Sequence, residues 1–324
     1  MAEHLAWVIG AGGLLGSAVY SAFEEERWLP SSVEKFSWND YQLLKTELQV
    51  AVNEFVSNIS VSKWTILWCA GTGTVGASQQ QLQNETANLS LFLDILSQAI
   101  ENQPTGKGLL FLGSSAGGVY AGAKSMPANE LTAPLPISPY GDAKLEQELL
   151  VRGFAQKMNQ KVLIGRISNL YGPAQNVNKV QGLISQMCLS VLMHRSCTIF
   201  VPLETSRDYL FAADAGRMIY RCCSSLHQES SSHLDRVTIK IFASEQSSTI
   251  SYLIGECRRL TKKQFRISLA HTSQTVLQPR EISFRSLVKP DQQIEDNTPI
   301  SIGIHAVLQG LLQQIQNGDI VSNK

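Results

Sequence analysis

The sequence has no surplus of charge of either sign. Its 27 Lys and Arg residues balance 27 Asp and Glu residues, and only 17% of the 324 residues are charged. A balanced chain carries no electrostatic footprint for nucleic acid or an anionic membrane, although a small anionic ligand remains open. No segment runs eighteen apolar residues without interruption, so no membrane-crossing helix is expected. The opening Met1-Ala2-Glu3-His4 lacks the basic-then-apolar pattern of an export signal, so a cytoplasmic protein is expected. Cysteine is sparse: Cys69, Cys188, Cys197, Cys222, Cys223 and Cys257 contain no Cys-x-x-Cys pair, and two adjacent cysteines are not a metal-ligand spacing. They are expected to be buried thiols. The six histidines are equally scattered, so no metal site is expected, and repeats and low-complexity segments are absent.

What is present begins with a 44% hydrophobic composition, enough for a large core in one composite domain or two. Residues 5–9, Leu-Ala-Trp-Val-Ile, form a short continuous apolar run of the kind found in a strand buried on both faces of a parallel sheet. Gly10-Ala11-Gly12-Gly13-Leu14-Leu15-Gly16 follows at once, and then an amphipathic stretch to residue 26. Strand, glycine-rich turn and helix together form a pyrophosphate cradle, because glycines allow close backbone approach and the helix N-terminus stabilises negative charge. The spacing of Gly10, Gly13 and Gly16 is Gly-x-x-Gly-x-x-Gly rather than Gly-x-Gly-x-x-Gly, whose last glycine would fall on Leu15.

The second feature is Ser138-Pro139-Tyr140-Gly141-Asp142-Ala143-Lys144. A spacing of four puts the Tyr140 phenol and the Lys144 ammonium on one face of a helical turn. A phenol is a poor acid or base near neutral pH, and a neighbouring cation favours the phenolate. That face is expected to carry the chemistry.

Glycine turn and Tyr-x-x-x-Lys, in this order, resemble the extended short-chain dehydrogenase/reductase family, whose epimerases, dehydratases and reductases act largely on sugar nucleotides. Further segments fit the same resemblance: Ser114-Ser115 before Val119-Tyr120, Arg166-Ile167-Ser168-Asn169 before Gly172-Pro173, and Arg207-Asp208-Tyr209. The resemblance implies a doubly wound parallel Rossmann sheet in residues 1–169 plus about 208–243. A smaller C-terminal α/β substrate domain would take 170–207 plus 244–324. It implies cofactor contacts from Gly10, Gly12, Gly13, Leu14, Leu15, Gly16, Ala70, Gly71, Ser114, Tyr140, Lys144 and Ile167. Asn88 would tie its helix to the central strands. Ser115, or else Ser114, would orient the reacting oxygen, and Asn169 and Arg207 would meet the substrate's phosphates. A guanidinium suits that work because its fork donates two parallel hydrogen bonds. The family's dehydratases carry an Asp-Glu pair after the hydroxyl, where Ala116-Gly117 stands here, so dehydration is not expected.

The second strand is expected over 33–37, and the acidic residue that holds the adenosine ribose should stand at its end. Ser37 stands there instead, with Lys35 nearby, which favours NADP(H) slightly over NAD(H). Residues 127–139 form a proline-interrupted loop placed to act as a lid. Leu89, Phe92, Leu93, Leu145, Leu149 and Val151 exceed one core-facing stripe, which predicts a homodimer through the two helices that carry them. Late in the chain Gln278-Pro279-Arg280-Glu281 replaces a family Arg-Pro-Gly-Asp. The expected activity is NAD(P)-dependent reduction or epimerisation at a sugar carbon of a nucleotide-sugar-like substrate. A non-catalytic NADP(H)-binding sensor or assembly partner is the alternative class.

Overall fold

A computed structural model describes residues 4–26, 28–30, 35–59, 63–101, 108–177, 182–229, 236–270, 279–289 and 297–320. The chain runs β1 (His4–Ile9), α1 (Leu14–Glu25), β2 (Leu29–Pro30), α2 (Tyr41–Asn58), β3 (Lys63–Trp68), α3 (Gln79–Ile100) and β4 (Gly108–Ser115). It continues through α4 (Ala116–Val119), α5 (Pro139–Met158), β5 (Lys161–Ile167), β6 (Asn169–Tyr171), α6 (Leu183–Leu192), β7 (Cys197–Ile199) and β8 (Ser206–Phe211). The last elements are α7 (Ala212–Gln228), β9 (Val237–Phe242), β10 (Ser247–Thr249), α8 (Ile250–Thr261), β11 (Ile267–Leu269), β12 (Glu281–Ile282) and α9 (Ile300–Gln316).

Six strands form a parallel sheet in the order β2-β1-β3-β4-β5-β9. Side chains alternate across it, as a period of two requires. Trp7, Ile9, Ile66, Trp68, Leu110 and Leu112 join the core under α2, α3 and α5. Ala6, Val8, Leu67, Leu109, Phe111 and Phe242 join the core under α1 and α7. Burial on both faces explains why these strands are continuous apolar runs rather than alternating ones. This is the doubly wound α/β sheet. Beyond its C-terminal edge β8 organises a second sheet, pairing with β6, β10 and β12, and α6, α8 and α9 pack a third core with Cys188, Cys197 and Cys257. No helix among the described residues is long and apolar enough to cross a membrane.

Two expectations need correction. The second strand is Leu29–Pro30, not 33–37; Lys35 to Ser37 have no regular structure, and Val33 and Glu34 lie outside the described residues. The Ser37 N–H and hydroxyl both donate to the Glu47 carboxylate of α2, at 2.7 and 2.9 Å, so this backbone is satisfied by a side chain instead of a ladder. The 127–139 loop is tied down rather than free to act as a lid. The Glu130 carboxylate accepts the Ile241 and Leu287 N–H groups and the Ser286 hydroxyl, and Ala128 exchanges backbone hydrogen bonds with Ser283 and Arg285. Most of the apolar residues assigned to a dimer face are used within one chain: Leu89, Phe92, Leu93 and Val151 are buried, Leu145 is partly so, and only Leu149 is exposed, at 67%. Helix α3 packs between α2 and α5 as well as on the sheet, so it needs more than one apolar stripe. Gln278 lies outside the described residues.

Candidate active site

The C-terminal ends of β1, β3, β4 and β5 open into a cleft of about 2010 Å³. Its floor is the glycine turn, lined by Gly10 to Leu15. Gly10 has φ +90°, and a Cβ there would sit 2.6 Å from the Ala70 nitrogen; one on Gly16 would sit 2.1 Å from the Gly10 carbonyl oxygen. Both positions therefore exclude any side chain, and β1, α1 and β3 converge at their closest. Gly12 is different: a Cβ there meets nothing within 4 Å, so its backbone faces open cleft. Helix α1 starts at Gly13 with no side-chain cap, which leaves its first N–H groups available to an anion. The residues present thus fit a dinucleotide pyrophosphate. Ala70, Gly71, Ile167 and Asn88 line the same cleft.

Asn88 does so with a different tie from the one expected. Its amide donates to the Trp38 carbonyl at 3.2 Å and fixes α3 to the loop after β2, not to the central strands. Ser37 is turned toward Glu47, and Lys35, Phe36, Trp38 and Asn39 line that end of the cleft in its place.

The face expected to carry the chemistry is assembled by α4 and α5. Ser138 caps α5 through the Gly141 N–H at 3.3 Å, with Pro139 in its first turn, so Tyr140 enters the helix at a fixed angle. Ser115 caps α4 through the Gly118 N–H at 3.1 Å. Gly118 lies between the two side chains: a Cβ on it would be 3.0 Å from Tyr140 Cε1 and 3.3 Å from Ser115 Oγ. Phenol ring and hydroxyl therefore flank one point and both line the cleft. Lys144 lies one turn on, its Nζ 5.8 Å from the Tyr140 ring centroid. That ammonium is buried and donates to Gln147 Oε1 at 3.0 Å and to the Gly113 carbonyl at 3.4 Å.

Ser114, the neighbour of Ser115, is differently employed. Its hydroxyl donates to Glu148 Oε1 at 2.7 Å within a closed network. Arg166 forks onto the same carboxylate at 2.9 and 2.7 Å and donates to the Tyr120 hydroxyl. Arg166 and Glu148 are 3% and 2% exposed, and burial pushes the Tyr120 phenol up. Alternation along β4 sends Ser114 under α5, and the chain turning into α4 leaves Ser115 at the cleft.

On the far wall, Asn169 donates to the Asp208 carbonyl at 2.8 Å, which joins β6 to β8. Arg207 lines the cleft and donates to the Ser206 and Arg280 carbonyls, at 2.8 and 3.4 Å, with no carboxylate partner among the described residues. Burial lowers its pKa, since an unpaired guanidinium loses hydration. Asp208 does not neutralise it. That carboxylate points the other way, accepts the Ser244 N–H and hydroxyl at 3.0 and 2.9 Å, and has its pKa raised by burial.

Some residues at the site were not singled out in the sequence. Glu85 Oε1 accepts the Thr72 and Gly73 N–H groups, both at 2.6 Å, and holds the loop after β3 against α3. Glu148 and Gln147 follow Lys144 by four and three positions, a helical spacing visible in the sequence. Among the described residues no group of three or more side chains could hold a metal ion.

A parallel sheet whose first turn suits a dinucleotide, with Ser115 at the end of β4 and Tyr140 and Lys144 on α5 lining the same cleft, has the form of a nucleotide-binding α/β protein. A model of the NAD dependent epimerase/dehydratase family matches residues 6–234, and the chain belongs to that family. It is 26% identical over 226 residues to dTDP-4-dehydro-6-deoxyglucose reductase of Escherichia coli, spanning 64% of this chain and 68% of that one. It is 32% identical over 105 residues to dTDP-D-glucose 4,6-dehydratase of Mus musculus, 32% of this chain and 28% of the relative. Among solved structures, UDP-glucose 4-epimerase from Thermotoga maritima with UDP-glucose superposes with TM-score 0.74 at 18% identity, covering 96% of this chain and 99% of that one. UDP-glucuronic acid 4-epimerase from Bacillus cereus with UDP-glucuronic acid and NAD gives TM-score 0.74 and 18% identity, with coverage of 96% and 99%. At that identity the likeness shows the fold.

Proposed function

We propose that this chain is an NAD(P)-dependent enzyme that reduces a keto group on the sugar of a nucleotide-sugar-like substrate, with Ser115, Tyr140 and Lys144 as its catalytic centre. The observation that carries this reading is the placement of the Tyr140 ring and the Ser115 hydroxyl on either side of Gly118, at the cleft and one turn from Lys144. The central sheet with α7 is the cofactor half, and the second sheet with α6, α8 and α9 is the substrate half.

When bound, the dinucleotide supplies or accepts the hydride. Tyr140 gives the sugar oxygen its proton on reduction and takes it back on oxidation, and Ser115 orients that oxygen by a hydrogen bond. Lys144, one helical turn from Tyr140, by family likeness holds the nicotinamide ribose. Arg207, a guanidinium without a carboxylate partner among the described residues, meets the substrate diphosphate, and Asn169 stands beside it. Ala116 and Gly117 supply no acid or base for eliminating water, which separates this reading from dehydration. No described carboxylate lines the cleft between Lys35 and Asn39, so a 2′-phosphate is tolerated and NADP(H) is preferred.

The test is incubation with dTDP-4-dehydro-6-deoxyglucose and reduced cofactor. Stoichiometric oxidation of NADPH, bound more tightly than NADH, is expected. Interconversion of a UDP-hexose without net cofactor turnover would make the chain an epimerase instead. Absence of both reactions would overturn the reading, and equal or reversed cofactor affinities would overturn the preference.

A further inference from the structure

We propose that Gln147, together with Thr86 of α3, is a positioning residue that fixes the Lys144 ammonium and thereby sets the affinity for the nicotinamide half of the cofactor. The inference rests on the reading of Lys144 as the group that holds the nicotinamide ribose.

An ammonium can only donate, so the oxygen of the Gln147 amide must face Lys144, and the amide nitrogen is turned the other way. It meets an acceptor there: Gln147 Nε2 donates to Thr86 Oγ1 at 3.4 Å, while Oε1 accepts from Lys144 at 3.0 Å. The amide orientation is therefore set from both ends. All three side chains are buried, Gln147 at 4% exposure, Thr86 at 6% and Lys144 at 8%. A buried polar chain of this kind holds its members strongly, because water cannot replace a lost partner. Without Gln147, the ammonium keeps the Gly113 carbonyl at 3.4 Å.

Charge chemistry explains why an amide is suited to this place. A carboxylate at 147 would form an ion pair and compete with Tyr140 and the ribose for the ammonium, whereas a carbonyl dipole orients the cation without neutralising it. Other ionisable groups near Lys144 are Tyr140 on its own helix, the Cys69 thiol at the end of β3, pushed up by burial, and Glu85 of α3. The Glu85 carboxylate is committed to Thr72 and Gly73, so it does not replace the amide. Glu85 and Thr86 are adjacent, so one turn of α3 holds the loop after β3 with the first residue and the lysine with the second.

The test measures three affinities on intact protein by titration: NADPH, NADH and ADP, the last lacking the nicotinamide ribose. For Gln147→Leu, a loss of about tenfold for NADPH and NADH is expected, the size of one hydrogen bond to a charged group, with ADP unchanged. Gln147→Glu keeps an acceptor for the ammonium but pairs with its charge, so NADPH and NADH affinities should fall between those of Gln147→Leu and the parent, with ADP unchanged. Wild-type NADPH affinity in Gln147→Leu, or an equal loss for ADP and NADPH, would overturn the proposal, the second outcome marking general damage to the fold. Lys144→Met separates the two levels of inference. If it weakens NADPH binding while Gln147→Leu does not, only the relay fails; if it leaves NADPH binding intact, the ribose assignment fails and the relay with it.

Discussion

Helix α5 presents two polar centres within little more than two turns. At its start Tyr140 and Lys144 border the open cleft, whereas one turn further Glu148 is buried in a network with Arg166, Ser114 and Tyr120. Both centres use charged groups taken from water, and the difference lies in what closes them. In the enclosed centre the carboxylate accepts three hydrogen bonds, and the guanidinium forks onto it and then reaches a phenol. In the open one, the groups border the cleft, where the proposed function has them bind cofactor and transfer a proton. On that proposal one helix serves both as a clamp across β4 and β5 and as a catalytic edge.

The strongest way to break this comparison is to remove one charge from the enclosed centre. Arg166→Leu strands the Glu148 carboxylate in a closed space, and loss of one partner of a buried pair costs about 3–5 kcal/mol. A correspondingly lower urea midpoint is expected, with the surviving folded fraction keeping its cofactor affinity. Tyr140→Phe should do the reverse: it keeps the ring, leaves the urea midpoint nearly unmoved, and slows hydride transfer by roughly two orders of magnitude or more. A folded, slow Arg166→Leu variant or a destabilised, active Tyr140→Phe variant would reverse the roles assigned to the two centres.

These two centres were unequally legible in the sequence, for a physical reason. Tyr140 and Lys144 are separated by a helical spacing and line the same cleft as the glycine turn, so their shared face could be stated beforehand. Arg166 and Ser114 reach Glu148 only through sheet register, since Ser114 pairs with Arg166 across β4 and β5. Long-range pairing of this kind has no local signature. The same holds for Ser37 and Glu47, where a tertiary hydrogen bond replaced the expected strand end, and for α3, whose apolar residues pack against α2 and α5 as well as the sheet. The strands of the central sheet were the most legible elements, because burial on both faces imposes continuous apolar runs. The C-terminal part, made of three- and two-residue strands around β8, was the least legible, and α9 was not anticipated.

A third enclosed polar site sharpens the comparison from the opposite end of the sheet. His227 of α7 meets Thr65 of β3 at 2.8 Å, and its pKa is lowered to about 3, by burial first and then by His4, Lys63 and Lys161. Since an unfolded histidine titrates near 6.5, the unfolded chain binds a proton that the native chain refuses between about pH 6.5 and 3. Stability from this group is complete above that window and is lost as pH falls through it, by about 2 kcal/mol at pH 5. Carboxylates titrate in the lower part of the same range, so the informative quantity is the difference between the parent and His227→Gln. The urea midpoint of the variant should fall less between pH 7.5 and 5, and parallel declines would remove His227 from the account.

The finest test sets the two adjacent serines against each other. Ser114→Ala takes one of the three donors from the Glu148 carboxylate while Arg166 keeps its fork, so a loss of about 1 kcal/mol of stability is expected, with turnover unchanged. Ser115→Ala takes a cap from the four-residue α4 and a hydrogen bond from the reacting oxygen. Its stability cost should be no larger, yet its turnover with a keto-sugar nucleotide should fall by about tenfold or more, and cofactor affinity should hold. The pair differs by one position in β4 and by nothing in composition, so any contrast between the variants comes from which side of the strand each hydroxyl occupies. Equal effects on turnover would mean that the enclosed network transmits to the cleft, and the separation between clamp and catalytic edge would have to be abandoned.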